Sequence, residues 1–209
     1  MGDSDTATSV DISSYGKLSI APDSHAPLLV VFGGINVLED NSDTCDKGPD
    51  CFPSGVYMWH YMDGIKDKFH IFVAADNTVH GKPAYDSLIK KLKAKGLEPS
   101  RQILYLFSGG WAPGKDVLRD AGAKKFSSIY LVDIWMRKPK SSDFYKGLAD
   151  SDAAKLTCVY TESGAVNSGA RDYLAKRVGP RATLVSKGKL EHGAMTHMRT
   201  NAVAIGTLK

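Results

Sequence analysis

The run Gln102-Ile-Leu-Tyr-Leu-Phe107 stops at Ser108, and Gly109 and Gly110 follow at once. Further along stand two acids, Asp133 and Glu162, and two histidines, His192 and His197. A serine hydroxyl is a weak nucleophile until a histidine takes its proton, and that histidine needs a carboxylate to fix its tautomer and stabilise its charged form. Acyl transfer also needs fixed donors for the negative oxygen of its tetrahedral intermediate. The amide of Gly109 is one candidate donor, and the amide of Gly34 or Ile35 is a second. These glycines also have a purely conformational use, since a turn leaving a buried strand often requires positive φ. Serine, acid and histidine are the parts of a nucleophilic acyl-transfer site.

Such parts work only if the chain brings them together. The apolar runs Pro27–Phe32, Phe69–Ala74, Gln102–Phe107, Ser128–Val132, Leu156–Tyr160 and Ala182–Ser186 read as buried strands, and Lys17–Ile20 as a short edge strand. Between them lie helical patterns. One follows Ser54 with Val56, Trp59, Met62 and Ile65; one carries Tyr85, Leu88, Ile89 and Leu92 and ends at Gly96; one starts near Asp116 behind the serine. Three more are expected near Ser142–Leu148, Ser168–Val178 and Met198–Leu208. Strand and helix in alternation predict an α/β fold, with a mainly parallel sheet covered by helices on both faces. Every strand of such a sheet ends on the same edge, where ligands bind. Gly33-Gly34, Asp76, Ser108-Gly109, Asp133, Glu162 and the His192–His197 segment all follow strand ends. His25, His60 and His70 read as structural or surface residues; His80, which also follows a strand, is the most open of the remaining four histidines.

Leu106-Phe107-Ser108-Gly109-Gly110 resembles the nucleophile elbow of the α/β-hydrolase superfamily, G-x-S-x-G, with the second glycine kept and leucine in place of the first small residue. The order nucleophile, acid, histidine is also that of the superfamily. The resemblance runs from about Leu28 onward and implies a reduced three-layer sandwich of cutinase size, the first strands of the full fold shortened or missing. It implies Ser108 as nucleophile, Asp133 as acid and His197, just ahead of the final helix, as base. Glu162, near the commoner acid position, and His192 stay open as alternatives. Gly34, Ile35 and Gly109 would form the oxyanion hole, and Trp111 and Trp135 would edge the cleft. Asp133 to Lys155 has room for one crossover helix and no cap, so the expected substrates are small or short-chain esters. A hydrolase-fold protein that binds without catalysing is the alternative.

A rival pattern shares the turn. Gly109-Gly-Trp-Ala-Pro-Gly114-Lys115 has the G-x-x-x-x-G-K spacing of a phosphate-binding loop. Against it, Asp116 stands where magnesium binding needs a Ser or Thr hydroxyl, and Pro113 lacks an N–H for cradling phosphate. The acids Asp40, Asp43, Asp46 and Asp50, in the Leu38–Pro53 loop, do not match calcium-loop spacing and read as a solvated loop.

At 209 residues the chain suits one domain, with residues 1–16 expected to be a flexible start. A net charge of +4 without a basic run longer than two argues against a nucleic-acid partner. Neither a basic-then-apolar leader nor an apolar run of about 18 residues is visible, so the expectation is a cytoplasmic protein off the membrane, oligomeric state open. Cys158 reads as a buried small side chain, and Cys45 and Cys51 could pair only in an oxidising compartment. No H-E-x-x-H or paired C-x-x-C occurs, so neither a metal nor another cofactor is expected.

Overall fold

A computed structural model describes residues 8–33, 65–75, 79–132, 134, 148, 155–160 and 182–186. Their strands are β1 (Thr8–Ile12), β2 (Gly16–Ile20), β3 (Leu28–Phe32), β4 (His70–Ala74), β5 (Gln102–Phe107), β6 (Ser128–Val132), β7 (Lys155–Tyr160) and β8 (Ala182–Ser186). Two α-helices are described, α1 (Gly81–Ala94) and α2 (Trp111–Val117). All eight strands form one sheet in the order β1-β2-β4-β3-β5-β6-β7-β8. Only β2 runs against the rest, being antiparallel to both β1 and β4.

Two expectations about the N-terminus are corrected here. The segment read as a flexible start contains β1, and the strand read as an edge lies inside the sheet, with β1 taking the edge. A three-residue turn joins the pair, with Ser13 at φ 51° and the Tyr15 amide donating to the Ile12 carbonyl at 3.0 Å. Val10 and Ile12 then meet the core, which the polar residues around them had obscured.

The middle of the sheet is buried on both faces, as a parallel sheet must be. Leu104 and Leu106 of β5 share one face with Leu28, Val30, Phe32, Phe72, Ile129 and Leu131. Ile103, Tyr105 and Phe107 share the other with Leu29, Val31, Ile71, Val73, Tyr130 and Val132. The alternation is the two-residue period of a strand. The fold is thus α/β, an eight-stranded, mainly parallel sheet.

Helix α1 lays Ala84, Tyr85, Leu88 and Leu92 on the first face. It stops at Gly96, whose φ of 67° suits a residue without Cβ. The Gly96 amide donates to the Lys93 carbonyl and the Leu97 amide to that of Leu92, which uses two carbonyls the helix leaves over. The Tyr85 hydroxyl donates to Gln102 at 2.6 Å and so ties α1 to the start of β5. Burial raises that phenol to about 12, despite the opposing Gln102 hydrogen bond.

His70 is fully buried at the other end of the sheet from the turns after the strands. Its Nδ1 accepts from the Ala21 amide at 3.1 Å, which leaves Nε2 to donate to the Ser24 carbonyl at 3.3 Å. This histidine is a structural clasp on the β2–β3 connection. His25 lies on the surface against the Glu98 carbonyl, and His80 is exposed at the start of α1. No helix among the described residues is long and apolar enough to cross a membrane.

Candidate active site

β5 occupies a central place, paired in parallel with β3 on one side and β6 on the other. Phe32 lies opposite Leu106 and Val132 opposite Phe107, so three neighbouring strands finish level with one another. Ser108 is the first residue beyond that line. It has φ 48°, in the left-handed region where an L residue is strained by about 1–3 kcal/mol. Ser108 to Gly110 make one tight 3₁₀ turn, which runs straight into α2. A strand that turns this sharply into a helix lifts the intervening side chain above the sheet edge. Ser108 is buried to 8 % exposure.

The second glycine of the turn has a structural cause. A methyl group at position 110 would stand 2.0 Å from the Phe32 carbonyl oxygen and 2.7 Å from that of Gly33. Any larger residue would push the elbow off the end of β3. The same contact sets Gly33, the last described residue after β3, beside the elbow.

Among the sequence-predicted residues, Ser108, Gly109 and Trp111 are therefore found together at the β5–α2 corner. Asp133, Glu162, His192, His197, Gly34, Ile35 and Trp135 lie outside the described residues, as do Asp76, Cys45, Cys51 and the acidic loop. The strands that precede them are described. β6 ends at Val132, one residue before Asp133, β7 ends at Tyr160, two before Glu162, and both run parallel to β5.

The phosphate-loop reading fails on this geometry. Residues 111–117 are α-helical, so Trp111, Ala112 and Pro113 have entered the helix before Gly114-Lys115 is reached, and no loop lies between the two glycines to wrap a phosphate. Helix α2 also begins five residues earlier than the apolar pattern near Asp116 suggested. Pro113 is its third residue, within the first turn, whose N–H groups lack partners in the helix in any case.

Trp111 is half-buried at the head of α2, with the Lys115 ammonium 6.0 Å from its ring centre. That pair lies within reach of a cation–π contact. Cys158 of β7 is 5 % exposed, and burial pushes its thiol up to about 12, which keeps it neutral and unreactive. No group of three or more potential metal ligands occurs among the described residues.

The pattern of an apolar run ending at Ser108 marked the strand-to-helix corner but not the seat of Gly110 on the Phe32 carbonyl. That contact joins residues distant in the chain, and only the second glycine hinted at it.

No protein-family model matches this sequence, and no curated protein matches it either. Solved structures do. Est1E from Butyrivibrio proteoclasticus is similar over 97 % of this chain and 98 % of its own, at 10 % identity and a TM-score of 0.62. Carboxyl esterase 2 from the fungus Tuber melanosporum is similar over 92 % and 77 %, at 14 % identity and a TM-score of 0.61. A predicted CIB-like hydrolase from Thermoplasma acidophilum is similar over 96 % and 95 %, at 14 % identity and a TM-score of 0.57. Agreement along nearly whole chains at such low identity comes from a shared course of the backbone, and that course is the α/β-hydrolase fold.

Proposed function

We propose that this chain is a serine hydrolase of small or short-chain esters, with Ser108 as nucleophile, Asp133 as acid and His197 as base. The observation that carries the proposal is the left-handed Ser108 at the end of the central strand β5, because strain at a site is retained where function uses it. Structural neighbours named as an esterase and a hydrolase support the reading.

In this reading the Ser108 oxygen attacks the ester carbonyl carbon while His197 takes its proton. The tetrahedral oxyanion accepts hydrogen bonds from the Gly109 amide and from the amide of Gly34 or Ile35. Collapse expels the alcohol, which receives the proton from the imidazolium, and leaves an acyl-enzyme. Water, activated by the same histidine, then releases the acid. Asp133 holds the imidazole and stabilises its charge. It directly follows Val132, whose partner Phe107 directly precedes Ser108, and this register favours it over Glu162, which comes two residues after the end of the next strand out. The chemistry needs only side chains and backbone, without a cofactor.

Hydrolysis of p-nitrophenyl acetate, butyrate and palmitate tests the class. Acetate and butyrate are expected to turn over and palmitate to be poor, because the shallow cleft this reading expects, with Trp111 and Trp135 as its proposed edges, would bury few methylenes at about 0.8 kcal/mol each. Asp133→Ala and His197→Ala are expected to lower kcat by about 10³-fold or more, since such groups act as a unit. A full loss in Glu162→Ala or His192→Ala instead, with Asp133→Ala or His197→Ala near wild type, would move that role to the alternative residue. No hydrolysis of any ester would leave a binding protein on a hydrolase fold.

A further inference from the structure

The elbow departs from the G-x-S-x-G pattern at Leu106, which is fully buried two residues before the serine. A side chain there must be accommodated by whatever packs on that face of β5. The element that does so is α2, and it does so through Gly114. A methyl group at position 114 would stand 2.4 Å and 2.5 Å from the two terminal carbons of Leu106 and 3.0 Å from its Cγ. The leucine thus fills the space that a side chain at 114 would need. The small residue missing from one side of the contact has reappeared on the other.

Two further contacts fix the same segment. Gly110 is wedged against the Phe32 and Gly33 carbonyls, and a methyl group at Gly81 of α1 would stand 1.9 Å from the Pro113 carbonyl oxygen. Helix α2 is therefore seated on backbone at Gly110 and Pro113 and on a side chain at Gly114. The turn Ser108–Gly110 continues into α2 without interruption. Lifting the helix at Gly114 would tilt the segment about the fixed Gly110 and carry Ser108 and the Gly109 amide with it.

We propose that Gly114 is a positioning residue, paired with Leu106, that sets the height of α2 and hence of the Ser108 hydroxyl and Gly109 amide. The inference rests on the serine-hydrolase reading. It also accounts for the second glycine of the phosphate-loop-like pattern, which serves helix packing rather than a ligand.

The test measures kcat and KM for p-nitrophenyl acetate, and the rate of labelling by a fluorophosphonate, in wild type, Gly114→Ala, Leu106→Ala and the double variant. Gly114→Ala is expected to lower kcat and labelling about a hundredfold with KM changed less than about twofold, the scale of a 1 Å misplacement. Adding Leu106→Ala is expected to recover most of that loss, which general destabilisation would not allow. Gly114→Ala with wild-type kcat and labelling, or a double variant no better than the single, overturns the inference. If Gly114→Ala fails to fold, the double variant carries the test, expected to fold and label; failure at either overturns the pairing. Wild type that does not label overturns the hydrolase reading itself, a result distinct from any variant's.

Discussion

A left-handed backbone at a residue with a side chain is a standing cost, and the fold bears it at Ser108 beside two glycines that could have carried the turn without strain. If the conformation serves the hydroxyl, removing the side chain should help the fold and end the chemistry. Ser108→Gly is expected to abolish ester turnover while leaving stability equal or higher by up to about 1 kcal/mol, read from urea denaturation. A clear loss of stability would mean that Ser108 holds the turn instead of being held by it. The serine was legible in the sequence because an apolar run ends on it and glycines follow. The reason for Gly110 was not, because the Phe32 carbonyl that excludes a methyl group belongs to another strand far away in the chain.

Elements were legible where local pattern and burial agree, as in β3 to β8, whose expected limits fall within a residue of the observed ones. They were obscured where tertiary contact overrides composition. Gly-Gly-Trp-Ala-Pro-Gly reads as a loop, yet it opens α2, because the proline falls in the first turn and the last glycine is required by Leu106. Thr8–Ile12 looked like a polar start, yet it pairs with β2 through a short turn. His70→Leu leaves the Ala21 amide without its acceptor, so it should lose about 1–3 kcal/mol while kcat stays at the wild-type value, the clasp being at the far end of β4 from the site. Equal loss of kcat in the folded variant would contradict its purely structural role. Cys158 supplies a pH dependence. Burial raises its thiol from 9.0 to about 12, so the unfolded chain ionises first. The resulting stability is complete below about pH 9 and falls as pH rises toward about 12. Urea midpoints followed across that range should decline less in Cys158→Val than in wild type; parallel curves would show that the thiol is not the source.

Across the whole molecule, the parallel strands β3, β5, β6, β7 and β8 end on one edge, so residues far apart in sequence are delivered to one line. That logic made the α/β class readable from alternation alone. It ranks the acids as well, because Asp133 leaves the strand next to β5 and Glu162 the strand beyond it. The order of strands was not readable, since neither the place of β4 between β2 and β3 nor the reversal of β2 leaves a mark in local pattern. The choice between histidines is likewise undetermined by pattern, because both follow β8 within a few residues of each other. The proposed chemistry rests on one oxygen atom, the Ser108 hydroxyl. The most direct measurement is incubation of the folded protein with a fluorophosphonate, followed by mass spectrometry of its peptides. A single adduct on Ser108 is expected, and it disappears when the protein is unfolded beforehand. A folded protein that takes up no label, or takes it up at another serine, would contradict it.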